Sequence, residues 1–133
     1  MGREAAAADP NGAIAHLGRA AGEVTGHTVT AAAEQGDPTA RELFTRLGRW
    51  LGVGIASLTT IFEVEAVVIG GGVIRTGDLL LTPARAALRE YAYAGDARGV
   101  PPVLPATFGS AAGMIGAALL ALEHADRKPG TGA

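Results

Sequence analysis

The 133-residue sequence has no cysteine, only 5% aromatic residues and no marked excess of either charge sign. Without cysteine the chain forms no disulfide bond and offers no thiolate to a metal, which fits a reducing compartment. The 11 basic and 13 acidic residues are scattered singly, so they form no basic stripe for nucleic acid and no polybasic membrane patch. We therefore expect a cytoplasmic protein with neither nucleic acid nor membrane as its partner.

Long hydrophobic runs are also missing. The longest uncharged apolar windows, Leu51 to Phe62 and Ala111 to Leu122, are shorter than the roughly 20 residues that cross a bilayer. Asp9 and Pro10 end the short alanine run near the amino terminus, which lacks the apolar region of a secretory signal. This segment is instead typical of the end of a longer helix.

Helix signals dominate the first half of the chain. A weak helix is predicted from about Ala13 to Ala21 and a short one from Thr28 to Gln35. Asp37-Pro38 supplies an N-cap and a proline at the first helical position, so we place a long helix from Pro38 to Ile61. Its apolar residues recur every three or four positions and predict one buried stripe. They are Leu43, Leu47, Leu51, Ile55, Leu58 and Phe62.

The second half alternates strands and helices. A strand from Glu65 to Ile69 has apolar residues on both faces, which is typical of a central parallel strand covered by helices. A second strand, Val103 to Thr107, contains a proline and is expected at an edge or bulge. The helix from Pro83 to about Tyr93 should bury Ala84, Ala87, Leu88 and Tyr91, and the helix from Ala111 to about Ala125, apolar nearly all round, should be buried. The order predicts an α/β fold whose two strands need further strands or a partner.

The glycine run Gly70 to Gly72 ends the first strand. It serves either a tight turn with positive φ angles or a ligand that approaches bare backbone, since ligands of α/β sheets bind beyond the carboxyl ends of strands. The run has neither the Gly-x-Gly-x-x-Gly spacing of a dinucleotide site nor the lysine of a P-loop. A second glycine-rich turn, Phe108 to Ala118, leaves the same choice between close helix packing and a polar ligand at its amides.

No catalytic or metal-binding constellation is predicted. His16, His27 and His124 lack metal-like spacing, and the acidic residues have ready roles as capping or solvated groups. No base and nucleophile pair is evident either.

Several ordered motifs resemble the carboxy-terminal part of ROK-family sugar kinases, above all actinobacterial glucokinases. They are AAEQGD (32 to 37), GRWLGVGIASL (48 to 58), VVIGGGV (67 to 73), GDLLL (77 to 81) and GSAAGMIGAA (109 to 118). The resemblance implies part of an actin-like ATPase fold (ribonuclease H-like): a lobe with a short parallel or mixed sheet covered by long helices. It also implies that Gly70, Gly71, Gly72 and Val73 contact the adenosine of ATP.

The family's phosphate loop, its Glu-Asn-Asp segment with the catalytic aspartate and its cysteine-rich zinc motif have no counterpart here. The resemblance therefore implies a fragment that is inactive alone, with glucose, magnesium and structural zinc bound only in the complete enzyme, and a homo-oligomer. We expect a helical remnant at 1–27, the ROK lobe at 28–125 and a disordered tail at 126–133. The alternatives are the effector lobe of a ROK transcriptional repressor and a catalytically silent interaction module.

Overall fold

The computed structural model describes residues 1–93 and 95–126. The elements are α1 (Gly2–Ala8), α2 (Ala13–Ala21), α3 (Gly26–Glu34), α4 (Pro38–Phe62), β1 (Val67–Ile69), α5 (Asp78–Tyr91), α6 (Gly95–Arg98), β2 (Val103–Pro105) and α7 (Ala112–Asp126). Two 3₁₀ turns, Gly72–Thr76 and Gly109–Ala111, follow the strands. The predicted disordered tail lies outside the described residues, except for Asp126 at the end of α7. Within the described ranges, no helix combines the length and apolarity that crossing a membrane requires.

Helix α4 begins as its sequence predicts. The Asp37 carboxylate accepts a hydrogen bond from the Ala40 amide at 2.7 Å, and Pro38 occupies the first turn, where no intrahelical donor is needed. The helix ends one residue beyond the predicted boundary, where Glu63 adopts a left-handed conformation at φ 48°. The caps therefore confirm the long helix and place its two ends.

The buried face of α4 differs from the predicted stripe. Leu47, Leu58 and Phe62 are 40%, 54% and 67% exposed. Small residues occupy much of the buried face instead, because α4 and α5 approach too closely for large side chains between them. The buried residues are Ala40, Phe44, Gly48, Gly52, Ile55 and Ala56.

Helix α5 begins at Asp78, five residues before the predicted start. Gly77, at φ 54°, turns the chain into the helix, and Pro83 is tolerated inside it, packed over Gly48. Ala84, Ala87 and Leu88 are buried as predicted. The prediction for Tyr91 is wrong: it is 47% exposed, and its hydroxyl accepts a hydrogen bond from Arg49 at 2.6 Å.

The strands form a two-stranded parallel sheet in the described residues, with Val67 opposite Val103 and Ile69 opposite Pro105. One face of the sheet packs into a core formed mainly by α4, α5 and β2. That core contains Ile55, Ala56, Ile74, Leu81, Leu88 and Val103. The expectation of helices on both faces is wrong within the described part, since Val68 on the other face is 61% exposed.

A second core joins the amino-terminal helices to the start of α4. It contains Ile14, Val29, Ala32, Ala33, Ala40 and Phe44. Helix α7 belongs to neither core, and its predicted burial is wrong: Met114 and Leu120 are 72% and 68% exposed. Its sequence is mostly apolar, but no described element covers it.

Candidate functional site

The glycine run lies where the carboxyl ends of the two strands meet. It directly follows β1, and the loop after β2 runs beside it, because the Ala106 amide donates a hydrogen bond to the Ile69 carbonyl at 2.8 Å. The 3₁₀ turns that follow the two strands also contact each other. Parallel α/β sheets bind ligands at this end, so the local geometry makes it the candidate site.

The three glycines have different structural roles. Gly71 adopts φ 83° and ψ −176°, a conformation that residues with a side chain rarely reach. A Cβ on Gly70 would meet the Ala106 methyl at an ordinary 3.6 Å, whereas a Cβ on Gly72 would meet no described atom within 4 Å. The turn therefore requires a glycine at position 71, whereas Gly72 borders open space.

A cavity of about 800 Å³ opens beside this loop. Gly72 and Val73 form part of its wall, and Phe44 and Leu47 of α4 contribute apolar surface. The cavity is also lined, from the start of α3, by Thr25, Gly26, His27, Val29 and Thr30, together with residues 1–3 and 23–24. The cavity combines apolar surface with polar groups, as small-molecule sites do.

Sequence reasoning missed the amino-terminal wall of the cavity. The sequence predicts a helical remnant at 1–27, yet Thr25 and His27 line the same cavity as Gly72. Thr25 is held in place by its amide, which donates to the Thr28 hydroxyl at 2.9 Å, and by its carbonyl, which accepts from that hydroxyl at 2.8 Å. Threonine is a favoured N-cap residue, and Thr25 is the N-cap of α3, but nothing in the pattern places it near the glycine run.

The second glycine-rich turn lies next to the first. Gly109 requires a positive φ, at 49°. A Cβ on Gly113 or Gly116 would meet no described atom within 4 Å, so these glycines do not serve close packing within the described part. The packing interpretation of this turn is therefore not supported by the described contacts.

Electrostatic perturbation occurs away from the glycine loop. The hydrogen bond from the amino terminus of Met1 lowers the pKa of Glu4, and the hydrogen bond with Tyr91 raises the pKa of Arg49. Neither side chain belongs to the loop, and the described residues contain no group of three or more His, Asp or Glu side chains placed to hold a metal ion. The loop can therefore offer a ligand backbone amides, apolar surface and space.

Comparisons with known proteins identify relatives of this chain. The ROK family profile matches residues 4–124. A glucokinase of Streptomyces coelicolor is 39% identical over 100 residues, which are 75% of this chain and 32% of that protein. A glucokinase of Halalkalibacterium halodurans is 36% identical over 103 residues, 77% of this chain and 31% of the other. The chain thus spans about a third of the length of these curated relatives.

A solved structure shows the same fold. The ROK family glucokinase from Streptomyces griseus, in complex with glucose and AMPPNP, superposes with a TM-score of 0.80 at 37% identity. The match covers 90% of this chain and 39% of the Streptomyces griseus chain. ROK sugar kinases have an actin-like ATPase fold, so the predicted α/β class and its partial actin-like lobe are confirmed.

Proposed function

This chain belongs to the ROK family, and we propose that it forms the carboxy-terminal part of a cytoplasmic, ATP-dependent glucokinase. The complete enzyme would transfer a phosphoryl group from ATP to the 6-hydroxyl of glucose. Residues 28–125 would form the carboxy-terminal lobe, and residues 1–27 would come from the region upstream. The glucokinase relatives and the glucose and AMPPNP of the Streptomyces griseus complex support this assignment.

The proposed role of the chain is to bind the adenosine of ATP through Gly70, Gly71, Gly72 and Val73. The observation that carries this proposal is the open space at Gly72. A side chain at this position would occupy volume that no described atom fills and that a ligand could use. The adjoining cavity, about 800 Å³, has the size of a small-molecule site. Residues near Thr25 and Phe44, which line the same cavity, would then contact the nucleoside.

The chain alone should bind nucleotide without transferring phosphate. Phosphoryl transfer requires phosphates, metal and a base to be positioned together, and the matched segment is about a third of the length of the glucokinase relatives. ATP would supply the phosphoryl group, and this loop would hold its adenosine end. Glucose, magnesium and structural zinc are therefore assigned to the complete enzyme, which we propose to be a homo-oligomer.

The test is a titration of the purified chain with a fluorescent ATP analogue. Gly72→Val fills the open space beside the cavity and should weaken binding by at least tenfold, or about 1.4 kcal/mol. Gly54→Val is the matched control, because Gly54 also borders open space but lies on α4 outside the cavity wall. Equal affinity in both variants would overturn the adenosine assignment, and no binding by the unmodified chain would favour a silent interaction module.

A second measurement addresses the catalytic part of the proposal. The chain is incubated with glucose, magnesium and ATP, and glucose 6-phosphate is followed by a coupled enzymatic assay. We expect no turnover above that of a heat-denatured sample. Turnover by the isolated chain would contradict the proposal that the chain requires the rest of the enzyme.

A further inference from the structure

A second cavity, of about 650 Å³, lies at the amino ends of the two strands, at the opposite end of the sheet from the glycine loop. Its wall comes from the last turn of α4, the end of α5 and the loops that lead into β1 and β2. The polar and charged residues of this wall are Thr59, Thr60, Glu63, Glu65, Tyr93 and Arg98. These residues do not line the cavity beside Gly72, so the two cavities are distinct.

The end of α4 presents hydrogen-bond acceptors to this cavity. Thr59 and Thr60 each donate their hydroxyl hydrogen to the Ala56 carbonyl, at 3.0 and 2.9 Å. A hydroxyl has a single hydrogen, so each oxygen has its lone pairs left for a ligand. The Thr59 carbonyl accepts from the Glu63 amide at 3.1 Å, and the carbonyls after it have no donor within the helix. This end of the helix therefore favours a ligand that donates hydrogen bonds.

The charges on the wall favour a cation. In the described residues, two carboxylates and one guanidinium line the cavity. Arg98 pairs with Glu63 at 3.1 Å, which leaves Glu65 as excess negative charge. The carboxyl end of a helix carries roughly half a negative charge, and the last turn of α4 contains no basic residue to offset it. A ligand with positive charge would balance both.

The rest of the wall suits the carbon skeleton of an organic molecule. Ile61, Val64 and Tyr93 line the cavity with side chains that are 71%, 38% and 80% exposed. Methylene groups gain free energy when they cover such apolar surface. The face of a tyrosine ring also attracts a cation within about 6 Å of its centre. The volume of the cavity lies in the range of small-molecule sites.

We propose that this cavity binds a small aliphatic diamine. One ammonium group donates to the Glu65 carboxylate, and the other donates to the threonine hydroxyls and carbonyls at the end of α4. The methylene chain between them lies against Ile61 and the Tyr93 ring. Arg98 holds Glu63 and so competes with the ligand for that carboxylate. The site goes beyond the proposed function, because it lies at the other end of the sheet from the glycine loop.

The test is a titration of the ¹⁵N-labelled chain with 1,4-diaminobutane, without nucleotide, followed by amide chemical shifts. Saturable shifts are expected at residues 59–65 and 98–100 but not at Gly70 to Gly72. The neutral 1,4-butanediol, of similar length, should cause no saturable shift. Shifts that do not saturate, that spread over the whole acidic surface or that the diol reproduces would overturn the proposal.

Three variants test the roles of the charges. Glu65→Gln removes the unpaired carboxylate and should weaken binding by about fivefold, as the loss of one exposed ion pair allows. Glu42→Gln is the matched control, because it makes the same change of charge at an exposed position of α4 outside the cavity. Arg98→Met releases Glu63 and should tighten binding by about threefold.

The gain expected for Arg98→Met cannot come from a loss of folding. Equal affinity of Glu65→Gln and Glu42→Gln, or an Arg98→Met chain that binds no more tightly than the unmodified one, would contradict the proposal. Nucleotide binding is measured separately at the glycine loop. A chain that binds nucleotide but shows no saturable shift at residues 59–65 therefore loses the diamine site and keeps the proposed function.

Discussion

Gly52 lies directly against the backbone of Ala84, so that a Cβ added to Gly52 would collide with the Ala84 carbonyl oxygen. The same Cβ would lie 2.7 Å from the Ala87 methyl and 2.9 Å from the Leu88 amide nitrogen. Helices α4 and α5 therefore meet backbone to backbone at this point. The long helix that leads to the strand and the helix that follows the glycine loop are thereby held as one unit.

Gly52→Ala should lower the free energy of unfolding by about 1–3 kcal/mol, because the added methyl forces the two helices apart. Gly54→Ala, two residues further along α4, is the control: its methyl meets no described atom, and alanine should add up to about 1 kcal/mol of helix stability. Urea denaturation followed by circular dichroism measures both. Similar stability changes in the two variants would show that the close approach is not energetically important.

Gly71→Ala should lower the free energy of unfolding by about 1–3 kcal/mol, because φ 83° with ψ −176° is strained for a residue with a side chain. Gly70→Ala should be nearly neutral, since its methyl would make an ordinary contact with Ala106. Thermal melting of the two variants without ligand measures the conformational role of the glycine run, separately from the space that the run leaves for a ligand. A neutral Gly71→Ala change would contradict the described turn.

Arg85→Met should lower the free energy of unfolding by about 1.5–3 kcal/mol, the range for hydrogen bonds to charged groups. The substitution keeps much of the aliphatic stem and removes both donors to the Val103 carbonyl. Arg89→Met, one turn along α5 and exposed, is the control and should change stability by less than about 0.5 kcal/mol. Urea denaturation of both variants tests whether the hydrogen bonds from Arg85 to the Val103 carbonyl stabilise the sheet.

Leu88→Ala should cost about 2–5 kcal/mol, because Leu88 is 1% exposed and fills the core between α4, α5 and β2. The same change at Leu120, which is 68% exposed on α7, should alter stability by less than about 0.5 kcal/mol. It should also make the protein more soluble, since it removes exposed apolar surface. A large loss of stability from Leu120→Ala would mean that α7 is covered in solution.

Some features of the fold depend on interactions between residues that are close together in the sequence, and these features could be predicted. The Asp37 cap and Pro38 determine where α4 begins, and the β-branched run before Gly70 determines β1. The glycine-rich turn between the strand and the next helix could likewise be predicted from the sequence. Such signals depend on backbone propensity and local hydrogen bonds, so the sequence by itself determined the long helix, the two strands, their order and the candidate loop.

Only the tertiary structure decided which surfaces of those elements face one another. Periodicity favoured the leucines of α4 as its buried face, but the close approach of Gly52 to Ala84 turned several of them outward. The cavity that Thr25 and Gly72 line together and the hydrogen bond from Arg85 to the Val103 carbonyl join residues far apart in the chain. Their positions depend on packing between elements, which is non-local and therefore absent from any short pattern of residues.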